Sequence, residues 1–422
     1  MYRKYKNLLP RWVNSLYSKG FLKKIMLEIL FALGFGIIFG LVAGLLPGLH
    51  PNNTIPIILG MTFLFSPLTA SIVLISSGVV NIFINFIPSI LLGAPEDASI
   101  LSVLPGHRLL LEGKGFDAIK LSVMGAFGGV LFSIAMLPLF SLFIPTIYDF
   151  IRPYIHFILI PVVAYMIIKE KGFDKLIALI VFLLSGFLGL IVLDYSDAML
   201  FPLLSGLFGL PTLIIAIKSK TSLPKKFEET KEKMKLIKPI TIGGLSGILA
   251  GLLPGLGSAQ STALTQQVFR DGDKSGKNFL VSVGAVASSD LVYSLFALYL
   301  IGNPRSGIAV AVSKLMEIGF NELMMFVIII LISACIGLVL TLKLTHITLH
   351  FLRKVNYSRL CLYTTIFILV LIFLFSGVAG LIVAAVATSI GMIANYTNVK
   401  RTHSMGCLLL PTILWFAGIK LI

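Results

Sequence analysis

Asp290 stands twelve residues into a 23-residue run, 279–301, that holds no other charge. A carboxylate near the middle of a membrane span is costly, and such residues hold a cation, carry a proton or hydrogen-bond a neighbouring helix. Ser294 lies one turn further on and shares its helix face. Moved back by 209 positions, this pair falls on Asn81 and Asn85 of a second run, 69–92. Polar groups thus recur at equivalent depths in two spans. These four residues are candidates for a coupling-ion site, with Na+ or H+ as the cation; a hydrogen bond between helices is the plainer use of Asp290. Ser288, Ser289 and Asp290 are the sole candidates for a nucleophile–base set, with no histidine assigned to them, and GxSxG, Walker A and HExxH patterns are missing. The chain is therefore expected not to be an enzyme and to need no cofactor beyond the coupling cation.

A second polar group follows two copies of one phrase, Gly-Leu-Leu-Pro-Gly-Leu, at 44–49 and 251–256. Proline removes an N–H and breaks a helix, and glycine permits the reversal that follows. After the first corner come Gly48, His50, Asn52, Asn53 and Thr54; the second brings Gly255, Ser258, Gln260, Ser261 and Thr262. Residues of this kind at a helix start serve as N-caps, and Asn53 and Ser261 need no further role. The same N-termini attract anions through partial positive charge and unpaired N–H groups, which makes both sets candidates for substrate binding. Each long run then ends at a further Gly-x-Pro break. Glu96 and Asp97 follow the first, suited to capping a helix or binding a cation. Arg305 follows the second, either a two-pronged clamp on a carboxylate or phosphate or an exposed loop arginine.

The elements that position these residues are apolar. Only 12% of the 422 residues are charged and 57% are hydrophobic, with a mean hydropathy of +1.00. Runs near 20 residues, enough to cross about 30 Å of hydrocarbon, lie at 25–46, 69–92, 118–144, 150–168, 174–193 and 197–217. They recur at 236–253, 279–301, 322–350, 357–375, 377–396 and 404–421, with short pieces at Thr54–Phe65 and Thr262–Phe269. This is the pattern of an all-α polytopic membrane protein made by duplication. Four parts follow: a basic amphipathic arm, 1–24; a first repeat, 25–217; a Lys-rich linker, 218–238; and a second repeat, 239–422.

Basic residues occupy alternate loops, and the alternation swaps between halves. Arg108, Lys114, Lys120 and the three lysines of 169–175 mark the first half; Arg270, Lys274, Lys277, Arg353, Lys354, Arg359, Lys400 and Arg401 mark the second. Basic loops stay in the cytoplasm, so the expectation is two inverted repeats with re-entrant Pro-Gly hairpins and broken helices, a plan used by secondary transporters. The basic arm and the basic linker both precede a repeat, which leaves two placements for the N-terminus: the arm outside, or run 25–46 crossing fully where 236–253 does not. The linker is placed in the cytoplasm of a multi-pass cell-membrane protein. The net charge of +16 suits anionic lipid head groups, not nucleic acid. Cys335, Cys361 and Cys407 lack CxxC spacing, which points to neither a disulfide framework nor a zinc site.

The stretch PSILLGAPEDASILSVLPGHRLLLEGKGFDAIKLS, residues 88–122, together with the Leu-Pro-Gly corners at 46–48 and 253–255, resembles the large membrane subunit, the TctA-type permease, of tripartite tricarboxylate transporters. The resemblance implies ion-coupled uptake of a small organic anion such as a di- or tricarboxylate. It also implies a small membrane subunit and an extracytoplasmic binding protein as partners. His50-Pro51-Asn52-Asn53, Arg305 after Pro304, and Ser288-Ser289-Asp290 depart from the family pattern and mark a divergent branch. A carrier of a polyprenyl-phosphate-type lipid anion is the alternative, and a homo-oligomer is compatible with either.

Overall fold

The computed structural model describes residues 19–46, 58, 65–93, 97–151, 154–196, 199–218, 235–252, 257–269, 276–302, 304–352, 357–397 and 399–419. The expected site residues Gly48, His50, Asn52, Asn53, Thr54, Gly255 and Glu96 lie outside them, as do residues 1–18 of the arm and 219–234 of the linker. The first half holds α1 (Lys19–Leu45), α2 (Pro67–Ile84), α3 (Phe86–Leu92), a 3-10 turn (Asp97–Ser102), α4 (Val103–Leu111), α5 (Gly115–Ile151), α6 (Ile155–Ile168), α7 (Asp174–Tyr195), α8 (Leu200–Leu204), a π turn (Ser205–Gly209) and α9 (Leu210–Lys218). The second holds α10 (Ile237–Leu252), α11 (Ser258–Phe269), α12 (Lys277–Ile301), α13 (Gly307–Leu315), α14 (Phe320–Leu352), α15 (Tyr357–Tyr396), a 3-10 turn (Arg401–Met405) and α16 (Gly406–Phe416). Among the described residues there is no strand, and seven helices are long and apolar enough to cross a membrane. The chain is an all-α multi-pass membrane protein.

Local chemistry sets the helix ends. Ser66 caps α2, its Oγ accepting the Thr69 N–H at 3.3 Å, with Pro67 at the first helical position, where its missing N–H costs nothing. Pro88 cannot donate to Ile84, and the chain bends at Asn85 between α2 and α3. Gly93 ends α3 at φ 65° and Gly302 ends α12 at φ 64°. These glycines stand 209 positions apart, so both Gly-x-Pro breaks close with the same left-handed cap. The expected spans 357–375 and 377–396 are two helical lengths within α15, separated at Gly377 with φ 61° and ψ −157°, a conformation open only to glycine. The expected piece Thr262–Phe269 starts earlier, at Ser258, because Gly257 serves as its cap.

Two central spans organise the rest. In 67–92 and 277–301 the apolar windows are 94% buried, against 17–44% in the other five spans. Lipid-facing apolar surface therefore falls to α1, α5, α7, α14 and α15. Gly36, Gly40 and Gly44 form a stripe on α1 against α2, and Gly243, Gly247 and Gly251 repeat that spacing on α10 against α12. A Cβ on Gly44 would lie 3.1 Å from the Asn81 carbonyl oxygen, and one on Gly251 would lie 2.9 Å from that of Asp290. Small residues here let backbones approach closely. On its other side α12 packs on α5 through Gly125, Gly129 and Gly284, and Ser288 Oγ donates to Ala126 O at 2.6 Å. Packing pairs also recur when the halves are exchanged. α1 meets α2 as α10 meets α12, α5 meets α12 as α14 meets α2, and α7 meets α16 as α15 meets α8, the π turn and α9.

Overpacking of a tight core typically costs about 1–3 kcal/mol, and at Gly251 the obstructing atoms include backbone. Gly251→Val is therefore expected to lower the thermal unfolding midpoint in detergent by several degrees. Gly34→Ala, where an added Cβ meets nothing within 4 Å, is expected to leave it unchanged.

Candidate functional site

α10 and α11, the helices that precede and follow the second Leu-Pro-Gly phrase, both pack on α12. At the start of α11, Gly257 N donates to Gln260 Oε1 at 2.9 Å, one arm of a capping box. Gln260 is thus engaged in closing the helix start. The Ser261 N–H bonds Gly257 O at 3.2 Å as the first intrahelical bond, so the amides of Ser258, Ala259 and Gln260 have no intrahelical acceptor. Ser258 Oγ, at the first helical position, donates to Asp290 Oδ2 at 2.5 Å. A hydroxyl on a carboxylate is a short, strong hydrogen bond, and this one ties the hairpin helix to the carboxylate in mid-span.

The other end of the break is tied to the same place. Ser294 Oγ accepts the backbone N–H groups of Arg305 at 2.9 Å and Ser306 at 2.5 Å. Arg305 Nε donates to Leu252 O at 3.0 Å, satisfying a carbonyl at the C-terminus of α10. Arg305 is half-buried in the site rather than exposed in a loop. Ser306 then caps α13, accepting the Ala309 N–H at 3.2 Å. Four segments far apart in sequence (Leu252, Ser258, Asp290–Ser294 and Arg305–Ser306) therefore form one connected polar cluster.

The first half contributes a neutral counterpart. Asn85 Oδ1 accepts the hydroxyls of Ser89 at 2.9 Å and Ser99 at 2.6 Å, and those two hydroxyls stand 2.6 Å apart. Asn81 and Asn85 are each 3% exposed, and the Nδ2 groups of both make no hydrogen bond. Ser261 Oγ and Thr262 Oγ1 on α11 are likewise buried without a partner, although Thr265 on the same helix returns its hydroxyl to Ser261 O at 2.8 Å. Buried polar groups are nearly always satisfied, so these four are candidates to contact a polar guest or water. The 3-10 turn Asp97–Ser102 of the first half packs against both α11 and α12 of the second. α2 crosses α12 and α13 at Gly78, whose added Cβ would meet Leu291 and Ile308, placing Asn81 and Asp290 each within a turn of that crossing.

The matched residues of a family model cover most of the chain, 30–406, and its description is the tripartite tricarboxylate transporter TctA family. The chain belongs to the TctA family. It is thus a membrane subunit of the transporter type, not an enzyme, and its family works within a three-part system. The uncharacterized protein MJ1079 of Methanocaldococcus jannaschii is 35% identical over 387 residues, covering 87% of this chain and 94% of its own length. No solved structure matches the chain.

Sequence reasoning singled out Asp290 and Ser294 in mid-span and Ser258 and Arg305 after the breaks, but did not pair Ser258 with Asp290 or Ser294 with the Arg305 backbone. It also missed Ser89 and Ser99, which Asn85 gathers across ten residues of chain. The complete glycine stripe on α10 was readable from its four-residue spacing, since three glycines on one face mark a close helix neighbour. His346 and His156 pack on aromatic rings, their centroids 4.1 Å from those of Phe116 and Phe157.

Leaving two buried N–H groups without an acceptor costs about 1–3 kcal/mol each. Ser294→Ala is therefore expected to lower the unfolding midpoint measurably in detergent, while Ser313→Ala, at an exposed hydroxyl, leaves it unchanged.

Proposed function

We propose that the chain is the ion-coupled permease of a small organic anion, a di- or tricarboxylate, working by alternating access around the cluster of α10, α11, α12 and α13. One carboxylate of the substrate binds the amides of Ser258 and Ala259 at the start of α11 together with the hydroxyls of Ser258, Ser261 and Thr262, and the Arg305 guanidinium adds positive charge nearby. The corner residues Gly48, His50, Asn52, Asn53, Thr54 and Gly255 complete the anion pocket in this reading, and Glu96 and Asp97 flank the ion path. Asp290 holds the coupling cation, Na+ or H+, with the Asn81 side-chain oxygen as a further ligand, while Ser294 and Asn85 order the backbone and hydroxyls around it.

The observation that carries this reading is the hydrogen bond from Ser258 Oγ to Asp290 Oδ2. The hydroxyl at the anion-facing helix start and the acid suited to a cation are the same bonded pair. A cation on Asp290 competes for the oxygen that holds Ser258 and frees the hydroxyl to donate to the substrate carboxylate. Cation and anion then raise each other's affinity by the same factor, as linkage requires. The exchange-related packing pairs support a duplicated plan, and the swapped basic loops support its inversion. In this reading the linker 218–238 faces the cytoplasm of a cell-membrane protein. A small membrane subunit and an extracytoplasmic binding protein deliver the substrate.

The test is uptake by proteoliposomes offered di- and tricarboxylates under imposed Na+ or H+ gradients, with and without the partner subunits. A polyprenyl phosphate is included as the competing substrate. Asp290→Asn is expected to fold, as judged by its elution profile, and to lose ion-driven accumulation at least tenfold. Wild-type accumulation by that variant would remove Asp290 from the coupling step, and transfer of the polyprenyl phosphate alone would replace the carboxylate reading.

A further inference from the structure

The segment after α15 carries a cation that the cluster at Asp290 does not use. Arg401 opens the 3-10 turn Arg401–Met405, and its Nη1 donates to Thr212 Oγ1 of α9 at 2.6 Å. Thr212 is itself buried, 8% exposed. Burial strips water from the guanidinium and holds its pKa down at about 10. Among the described residues no carboxylate pairs with it. Glu170, the acid that reaches this turn, bonds His403 at 3.2 Å and Lys400 at 4.0 Å instead.

Arg401 is half-buried; an arginine offers five N–H donors, and a charge partly withdrawn from water without a counter-charge is costly. His107, 5% exposed, is held by the Ile90 carbonyl at 3.2 Å. Its pKa is lowered by burial and then by the charge of Arg401, so the two side chains share one electrostatic neighbourhood. Pro105, two residues before His107, lies against Gly276 at the start of α12. Asp290 is fourteen residues along that helix, roughly 20 Å away at 1.5 Å per residue. The turn also packs on α11, the hairpin helix.

We propose that Arg401, positioned by Thr212 in the turn that packs on α11, is a second oxyanion site. The planar guanidinium fork fits a carboxylate or a phosphate. The source is either the transported anion, pausing on its way past α11, or the head group of an anionic lipid. The site stands on its own residues and does not depend on the roles given to Asp290 or Arg305.

The test measures thermal unfolding of the full-length chain, with Arg401→Gln, Thr212→Val and Lys314→Gln as variants. In detergent, citrate and inorganic phosphate are titrated against sodium chloride of equal ionic strength. In nanodiscs, phosphatidylglycerol is compared with phosphatidylcholine. A ligand that binds the folded state at a hundred times its dissociation constant is expected to raise the wild-type midpoint by roughly 3 °C beyond the salt control. Arg401→Gln and Thr212→Val reduce that rise, and Lys314→Gln, which removes an exposed charge outside both sites, keeps it. A response to citrate or phosphate assigns a soluble anion; a response to phosphatidylglycerol alone assigns a lipid. If Arg401→Gln does not fold, Thr212→Val decides. No wild-type rise with any of the three probes, or equal rises in the wild type and the Arg401 and Thr212 variants, overturns the proposal.

Discussion

A helix that ends inside a membrane protein leaves four N–H or four C=O groups without intrahelical partners, and in hydrocarbon each unsatisfied group costs several kcal/mol. Such ends persist only where other parts of the chain supply donors and acceptors. Here Arg305 supplies a donor to the end of α10 at Leu252, Ser294 supplies an acceptor to Arg305 and Ser306, and Gln260 closes the start of α11. The need to satisfy interrupted backbone draws polar side chains to one place, and the same polar side chains give that place its chemistry.

Close packing makes the arrangement possible. The glycine stripes on α1 and α10 bring one backbone against another beside Asn81 and Asp290, so the helices that carry polar residues are held by backbone contact rather than by long side chains. The two halves use the same packing but different chemistry. At equivalent depth one has a carboxylate bonded to a serine, and the other has two amides with unpaired N–H groups. A carboxylate accepts hydrogen bonds and attracts cations; an amide N–H donates and suits an oxygen-bearing guest.

How much was legible follows from the range of each interaction. The spans were legible because hydrocarbon thickness sets their length, and most boundaries fall within a few residues of the expected ones. The paired caps at Gly93 and Gly302 were legible because the Gly-x-Pro phrase is local. Asp290 stood out because a charge in a span is costly. The bonds from Ser258 to Asp290, across 32 residues, and from Arg401 to Thr212, across 189, depend on how helices cross, and no local pattern carries that information. Arg305 was recognised as either clamp or loop; its bond to Leu252 could be read only once α10 and the break were seen side by side.

The interruption at Gly377 reaches beyond local geometry. As one straight rod, the 40 residues of α15 would extend about 60 Å, twice the thickness of the hydrocarbon layer. Divided at that glycine, they become two lengths that each fit the layer. Whether the pair traverses once or doubles back sets the parity of the topology, and with it the compartment in which the carboxyl terminus emerges.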